Sequence, residues 1–186
     1  MTLPYLTTSV EPINAVFRST PDDFEVEEVP AYPPSGTGEH TFAFIEKRGL
    51  TTKDAVRTLC ESVGADPKAA GWAGLKDRHA IARQWISIWE TTPDALMKLE
   101  LEGVRVLEAA SHPHKLRTGH LESNRFRIAL RQIDPGRIED LHRVLAEIET
   151  RGLPNSYGEQ RFGREGDNAT HALRWVRGEA RAARWA

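Results

Sequence analysis

From Ala15 to Trp89 the chain sets short runs of strand periodicity around one sharply punctuated helix, without the regular strand-helix-strand rhythm of a parallel sheet. Ala15-Val16-Phe17-Arg18 reads as a short strand. Phe24-Glu25-Val26-Glu27-Glu28-Val29 alternates apolar and charged side chains as a half-buried strand requires, and Pro30, Pro33 and Pro34 then force a loop. Residues 40–46 form a third strand. Thr51 followed by Asp54 matches a capping box, after which Ala55, Val56, Leu59, Cys60 and Val63 recur at helical spacing up to a stop at Gly64. Gly71-Trp72-Ala73-Gly74 reads as a loop leading to a buried strand from Ile81 to Trp89, rich in tryptophan and isoleucine.

Beyond Trp89 the pattern predicts a short helix over residues 92–98, a strand over 104–107, and a strand over 125–130. In the last of these, arginines alternate with Phe126, Ile128 and Leu130, which puts the basic side chains on one face. Asp134 can cap a helix whose first residue is Pro135, with Ile138, Leu141, Leu145 and Ile148 as its buried stripe and Gly152 as its end. A last helix is expected over residues 168–177. Strands and helices interspersed in this way imply an α+β fold, an antiparallel or mixed sheet flanked by helices. No internal repeat, low-complexity stretch or glycine-serine linker interrupts the chain, so residues 1–186 read as one continuous domain.

Several function classes are excluded by composition. The 39% hydrophobic content of 186 residues is enough for one well-filled core. No stretch approaches the roughly 18 to 20 uninterrupted apolar residues of a membrane-spanning helix, and the start, MTLPYLTTSVEP, has neither the basic leader nor the apolar block of a secretory signal. A cytoplasmic protein with no membrane partner is the expectation. The single cysteine, Cys60, rules out an internal disulfide and reads as core packing.

Net charge is only -2, but its distribution is uneven. Residues 1–48 carry eight acidic side chains against three basic ones, whereas over residues 112–131 Lys115, Arg117, Arg125, Arg127 and Arg131 face only Glu122. Basic stretches of this kind either track a phosphate backbone or form a solvated face. Composition alone leaves both readings open.

Two segments concentrate groups with chemical capacity. Ala73-Gly74-Leu75-Lys76-Asp77-Arg78-His79-Ala80 is a cluster of charges between a helix and a buried strand, where a rigid scaffold can fix a group while the loop leaves it accessible. A solvated turn would read the same way. Pro154-Asn155-Ser156-Tyr157-Gly158-Glu159-Gln160-Arg161-Phe162-Gly163 combines aromatics that can stack on bases, amides that can read base edges and an arginine that can hold phosphate. A loop packed by its own aromatics is the competing reading.

Taken together, these segments resemble the TruD family of pseudouridine synthases, which modify uridine 13 of transfer RNA. The family's Gly-x-Lys-Asp-x-x-Ala core followed by glutamine is matched by Gly74, Lys76, Asp77, Ala80 and Gln84, and its Asn-Tyr-Phe-Gly-x-Gln-Arg-Phe-Gly signature by residues 155–163. Further matches are Pro21-Asp22-Asp23-Phe24-Glu25-Val26-Glu27-Glu28, Gly38-Glu39-His40, the turn from Lys47 to Thr52, and Asn124-x-Phe126, all in family order. The resemblance implies a pseudouridine synthase-like catalytic core and an isomerisation that uses no cofactor. It implies that Asp77 is the catalytic carboxylate, acting as nucleophile or base, with Arg18 as its ionic partner. It further implies that Phe126 and Asn124 hold the flipped uracil, with Phe24 near the site, Lys76 touching phosphate or bracing the loop, and Gln160 and Arg161 on the RNA.

Some features depart from the family pattern. Ala82 stands where the family loop commonly has threonine, and Ser156 replaces an aromatic. Family members continue with an insertion domain and then complete the catalytic core, so the chain reads as the amino-terminal part of that core, incomplete, with its second half absent or on another chain. The expectation is isomerisation of uridine in transfer RNA. The alternative is a catalytically silent, truncated RNA-binding fragment, and a third reading is an interaction module that uses the edge of an unfinished sheet. His112, His114 and His120 lie close in sequence but lack acidic or cysteine partners at ligand spacing, so no metal is expected.

Overall fold

Strand β5 (Ile81–Trp89) occupies the middle of a mixed sheet, as its continuous apolar character requires: Ala82, Ile86 and Ile88 on one face, and Trp85 and Ser87 on the other, are all buried. The computed structural model describes residue 7 and residues 10–153 and 167–179, and it divides into two compact units, residues 13–135 and residues 1–12 with 136–186. No change of composition marks the boundary beside Pro135, and for that reason the sequence read as continuous.

The unit of residues 13–135 has the expected α+β class. Besides β5 its sheet contains β2 (Phe24–Pro30), β3 (His40–Arg48), β6 (Val104–His112) and β7 (Leu121–Ile128), in the order β6-β3-β5-β2-β7, with β4 (Gly71–Trp72) pairing a second stretch of β5. Only β2 and β5 run parallel, over Glu25–Glu27 and Ile81–Arg83. All other ladders are antiparallel. A separate two-stranded ribbon joins β1 (Val16–Phe17) to β8 (Leu130–Arg131).

β5 is thus bordered by β3 along its whole length, whereas its other edge is shared by β2 and then by β4. Gln84 and Trp85 fall in the fork between the two. The backbone N–H of Trp85, which has no strand partner on that edge, donates to the Glu28 carboxylate at 3.2 Å, so a side chain completes the ladder where the backbone diverges.

One face of the sheet is covered by α1 (Thr52–Val63) and α2 (Pro93–Met97). Ala43, Ile45, Ile86 and Ile88 pack there against Ala55, Val56, Leu59, Cys60 and Leu96, each aliphatic side chain the size of leucine or isoleucine contributing about 1.5 to 3 kcal/mol. α1 begins and ends as its sequence dictates: the Thr51 hydroxyl accepts the Asp54 N–H at 3.1 Å, and Gly64 takes the left-handed conformation, φ 72°. A smaller cluster of Phe42, Ala73, Trp85 and Leu116 lies on the opposite face, flanked by Tyr32, Phe44 and Leu121.

The uneven charge of the sequence cancels across that second face. Arg105 of β6 donates to Glu46 of β3, Glu46 accepts Arg83 of β5, Arg83 reaches Glu25 of β2, and Glu25 accepts Arg127 of β7, at 3.1, 2.8, 3.2 and 3.3 Å. Arg125 lies 3.9 Å from Glu27. The acidic strand and the basic strand are cross-strand partners, so the arginines of β7 do share one face, as their alternation predicts, and on that face they stand beside the glutamates of β2.

Four expectations are corrected. Gly71 and Trp72, read as loop, form strand β4; glycine is required because a Cβ at Gly71 would lie 2.1 Å from the Leu116 carbonyl oxygen. β6 continues to His112, five residues past the predicted end, because ladder pairing to β3 overrides the weak strand propensity of Glu-Ala-Ala-Ser. β7 begins at Leu121 and stops at Ile128, where the Ala129 N–H turns to the Asp23 carbonyl, leaving Leu130 to the small ribbon.

In the other unit, α3 (Ile138–Arg151) begins after a 3-10 turn over Pro135–Arg137, and α4 covers Asn168–Val176. None of α3 is buried among the described residues, and Ile138 and Leu145 are exposed, against the expected buried stripe. Periodicity fixes which face of a helix is apolar; burial needs a partner layer as well.

Candidate active site

Asp77 stands on the loop between β4 and β5, and the backbone of that loop is fastened from three directions. The Lys76 N–H donates to the Thr52 hydroxyl at 2.9 Å, and that hydroxyl donates to the Gln84 side-chain oxygen at 2.8 Å. The Gln84 amide reaches the Gly74 carbonyl at 3.3 Å. The Lys47 ammonium donates to the carbonyl oxygens of Asp77 at 2.7 Å, Leu50 at 2.8 Å and Lys76 at 3.4 Å. Lys47, Thr52 and Gln84 are all buried, so these bonds act in a poorly solvated interior where each is harder to exchange for water.

The Asp77 side chain faces outward, about half exposed, with the Arg18 guanidinium 3.2 Å from its carboxylate. Arg18 lies at φ 59°, an unusual conformation for a residue with a Cβ. Its guanidinium carbon stands 4.5 Å from the centroid of the Phe24 ring, a contact that fixes the cation sideways while it faces the carboxylate. Phe24 in turn meets Phe126 at 5.8 Å between ring centroids. The result is a continuous wall of carboxylate, guanidinium and two aromatic rings, and Phe126 keeps 58% of its surface exposed.

Strand alternation explains the neighbours of this wall. Phe24, Val26 and Glu28 share one face of β2, and opposite them on β7 stand Ile128, Phe126 and Asn124. The Asn124 side-chain oxygen is buried and accepts no hydrogen bond, an unsatisfied acceptor two residues from Phe126 on the same side of the strand.

Of the residues singled out from sequence, the structure brings Asp77, Arg18, Phe24, Phe126 and Asn124 to one side of the sheet around β2 and β7. Lys76 points inward: its ammonium lies 2.5 Å from Glu28, and both side chains are almost wholly buried. Gln160, Arg161 and the rest of the segment from Pro154 to Gly163 lie outside the described residues. Ala82, where a threonine was expected, is fully buried opposite Val26. His112 and His120 flank Tyr32, whose hydroxyl is 2.7 Å from His120 Nδ1, on the face away from Asp77.

Glu28 and Lys47 carried no assigned role in the sequence. A signal was present: Glu28 shares its strand phase with Phe24 and Val26, and Lys47 with Ala43 and Ile45, so each is a charged residue at an inward position. Inward charges are retained only with partners, and here the partners belong to the loop that carries Asp77.

The chain is similar to known proteins along nearly its whole length. The family described as "TruD: tRNA pseudouridine synthase D" matches residues 1–185. A tRNA pseudouridine synthase D of Geobacter sulfurreducens is 43% identical over 179 residues, covering 96% of this chain and 44% of that protein. One from Thermus thermophilus is 45% identical over 184 residues, 98% of this chain and 51% of its own length. The crystal structure of a putative tRNA pseudouridine synthase D from Methanosarcina mazei superposes with a TM-score of 0.80 at 28% identity, over 92% of this chain and 40% of that one. The chain therefore spans about half the length of the curated relatives it matches.

Proposed function

The chain belongs to the TruD family of tRNA pseudouridine synthases, and from that premise we propose that it carries the amino-terminal part of a site that converts uridine to pseudouridine in transfer RNA, at position 13, with Asp77 as the reacting carboxylate. The observation that carries this reading is the outward-facing Asp77 carboxylate held beside Arg18 at the end of the Phe24 and Phe126 wall.

The reaction is an isomerisation. The bond from ribose C1′ to uracil N1 breaks, the base turns, C1′ joins C5, and the proton displaced from C5 is balanced by one gained at N1. Asp77 takes part either by attacking the sugar or by removing a proton, and both roles need an ionised carboxylate within reach of the target. Arg18, 3.2 Å from the carboxylate, fixes its direction. Phe126 offers a face that recovers part of the stacking lost when the uridine leaves the helix, about 1 to 3 kcal/mol per base. The free acceptor of Asn124 suits the N3–H of uracil. No step calls on a cofactor or metal, and Gln160 and Arg161 remain proposed RNA contacts on the sequence match alone.

A second reading is an RNA-binding unit without turnover. Incubating excess protein with unmodified transfer RNA and mapping pseudouridine separates the two. Product at uridine 13 that falls by about 10²- to 10⁴-fold in Asp77→Asn supports the enzyme. Salt-dependent binding without product, unchanged in that variant, supports the binding unit.

A further inference from the structure

We propose that Lys47 is a positioning residue for Asp77, its buried ammonium holding both peptide groups that flank the catalytic residue; the inference rests on the pseudouridine synthase reading of the site. Lys76 O belongs to the peptide before the Asp77 Cα and Asp77 O to the peptide after it, and Lys47 donates to both. Its third hydrogen bond, to Leu50 O, ties the ammonium to the turn that enters α1. Gripping both peptides restricts the two backbone torsions of Asp77, which set where the exposed carboxylate points relative to Arg18 and Phe126. A displacement of about 1 Å at a reacting group is enough to cost on the order of 10²-fold in rate.

An ammonium is an expensive device here. Lys47 is fully buried and its hydrogen bonds all go to neutral carbonyls, whereas the neighbouring Lys76 has Glu28 as a counter-ion. The residues opposite it on the flanking strands, Ala82 and Val104, are neutral. α1 turns Thr52, Ala55 and Cys60 inward, the last a thiol that burial pushes up to about 11. The ionised groups acting on Lys47 are Asp77, which favours its charge, and Lys76, which opposes it, and burial outweighs both to bring its pKa down to about 8. A methionine would fill the same volume without this cost, so what the ammonium adds is its hold on the loop.

The sign of the pH dependence separates positioning from general stability. Between about 8 and the ordinary lysine value the unfolded chain holds a proton at Lys47 that the folded chain has released. Stability from this group therefore rises with pH in that window, while its grip on the loop weakens.

The test uses the wild-type chain, Lys47→Met and Asp77→Asn, measuring pseudouridine formation with kcat and KM, thermal stability, and hydrogen exchange of the Lys76 amide, each from pH 6.5 to 9.5. The expected result for Lys47→Met is a kcat lower by about 10- to 100-fold with KM within about twofold, and Lys76 amide exchange at least about tenfold faster with thermal stability equal to or above the wild type. The wild-type rate should fall above about pH 8 with no loss of stability, and the variant rate should be flat there. An unchanged kcat and unchanged exchange in Lys47→Met overturn the proposal. If Lys47→Met does not fold, Lys47→Gln in the same assays decides: an unchanged kcat and unchanged Lys76 amide exchange overturn it. If the wild type makes no product, the pseudouridine reading fails, and amide exchange alone decides whether Lys47 holds the loop.

Discussion

The two faces of one sheet use charge in opposite ways. On the face away from Asp77, Arg105, Glu46, Arg83, Glu25 and Arg127 run across five strands as a ladder of cross-strand partners, with the arginines of β6 and β7 largely exposed. On the other face Glu28, Lys76 and Lys47 are buried, and their partners are the loop carrying Asp77, the strand beside it and, for Lys47, the turn that enters α1. The outer pairs of the ladder, whose Arg105 and Arg127 are largely exposed, are each worth about 0 to 1 kcal/mol, because water screens them and long side chains lose freedom in forming them. Buried charges gain more from each other but carry a large desolvation cost, so removing one member of a buried pair, which leaves the other uncompensated, is felt in full. The ladder registers strands; the buried group registers a loop.

The largest effect on stability should come from Glu28→Gln, which leaves the Lys76 ammonium buried without a counter-ion and weakens the bond to the Trp85 N–H. A loss of about 3 to 5 kcal/mol is expected in denaturant unfolding. A loss below about 1 kcal/mol would mean that the two faces do not differ as described.

Asp23 stands between the two regimes, a buried carboxylate whose partner, Arg131, is half exposed. The hydrogen bond from Arg131 holds its carboxyl below the usual aspartate value, with burial acting the other way. Its contribution is therefore present above the ordinary aspartate pKa and is lost as pH falls below it through the lower folded value. Arg131→Ala should be less stable than the wild type above the ordinary aspartate pKa, and the gap in denaturant unfolding should close as pH falls through the lower folded value. A gap that does not change with pH would place Asp23 with the exposed ladder. The smallest change is expected from Arg127→Ala: within about 0.5 kcal/mol of wild type, and less at 0.5 M salt.

Much of the scaffold was legible because its signals are local. Strand β5 was delimited to the residue by a run too apolar for an edge strand, and α1 by a hydroxyl cap and a left-handed glycine. β6 was read short because Glu108 to Ser111 have no intrinsic strand preference, and only the ladder to β3 holds them extended. The β4 strand escaped because two residues carry no period at all, and what requires glycine there is the backbone of a segment more than forty residues away. Arg18 and Asp77 were paired on a family resemblance; the geometry that joins them, a left-handed backbone at Arg18 and a ring beneath its guanidinium, is not written in either neighbourhood.

By itself the sequence determined the strand phases, the capped helix, the apolar middle strand and the loop that carries Asp77, since each follows from the chemistry of a few consecutive residues. Tertiary structure alone decided that the acidic and basic stretches would neutralise each other side by side. It also decided that Glu28 would stand in for a missing strand at the fork beside Trp85, and that Lys47 would spend its charge on carbonyls of the Asp77 loop. A charged residue at an inward phase announces only that it must find a partner, and which partner it finds depends on where distant strands diverge.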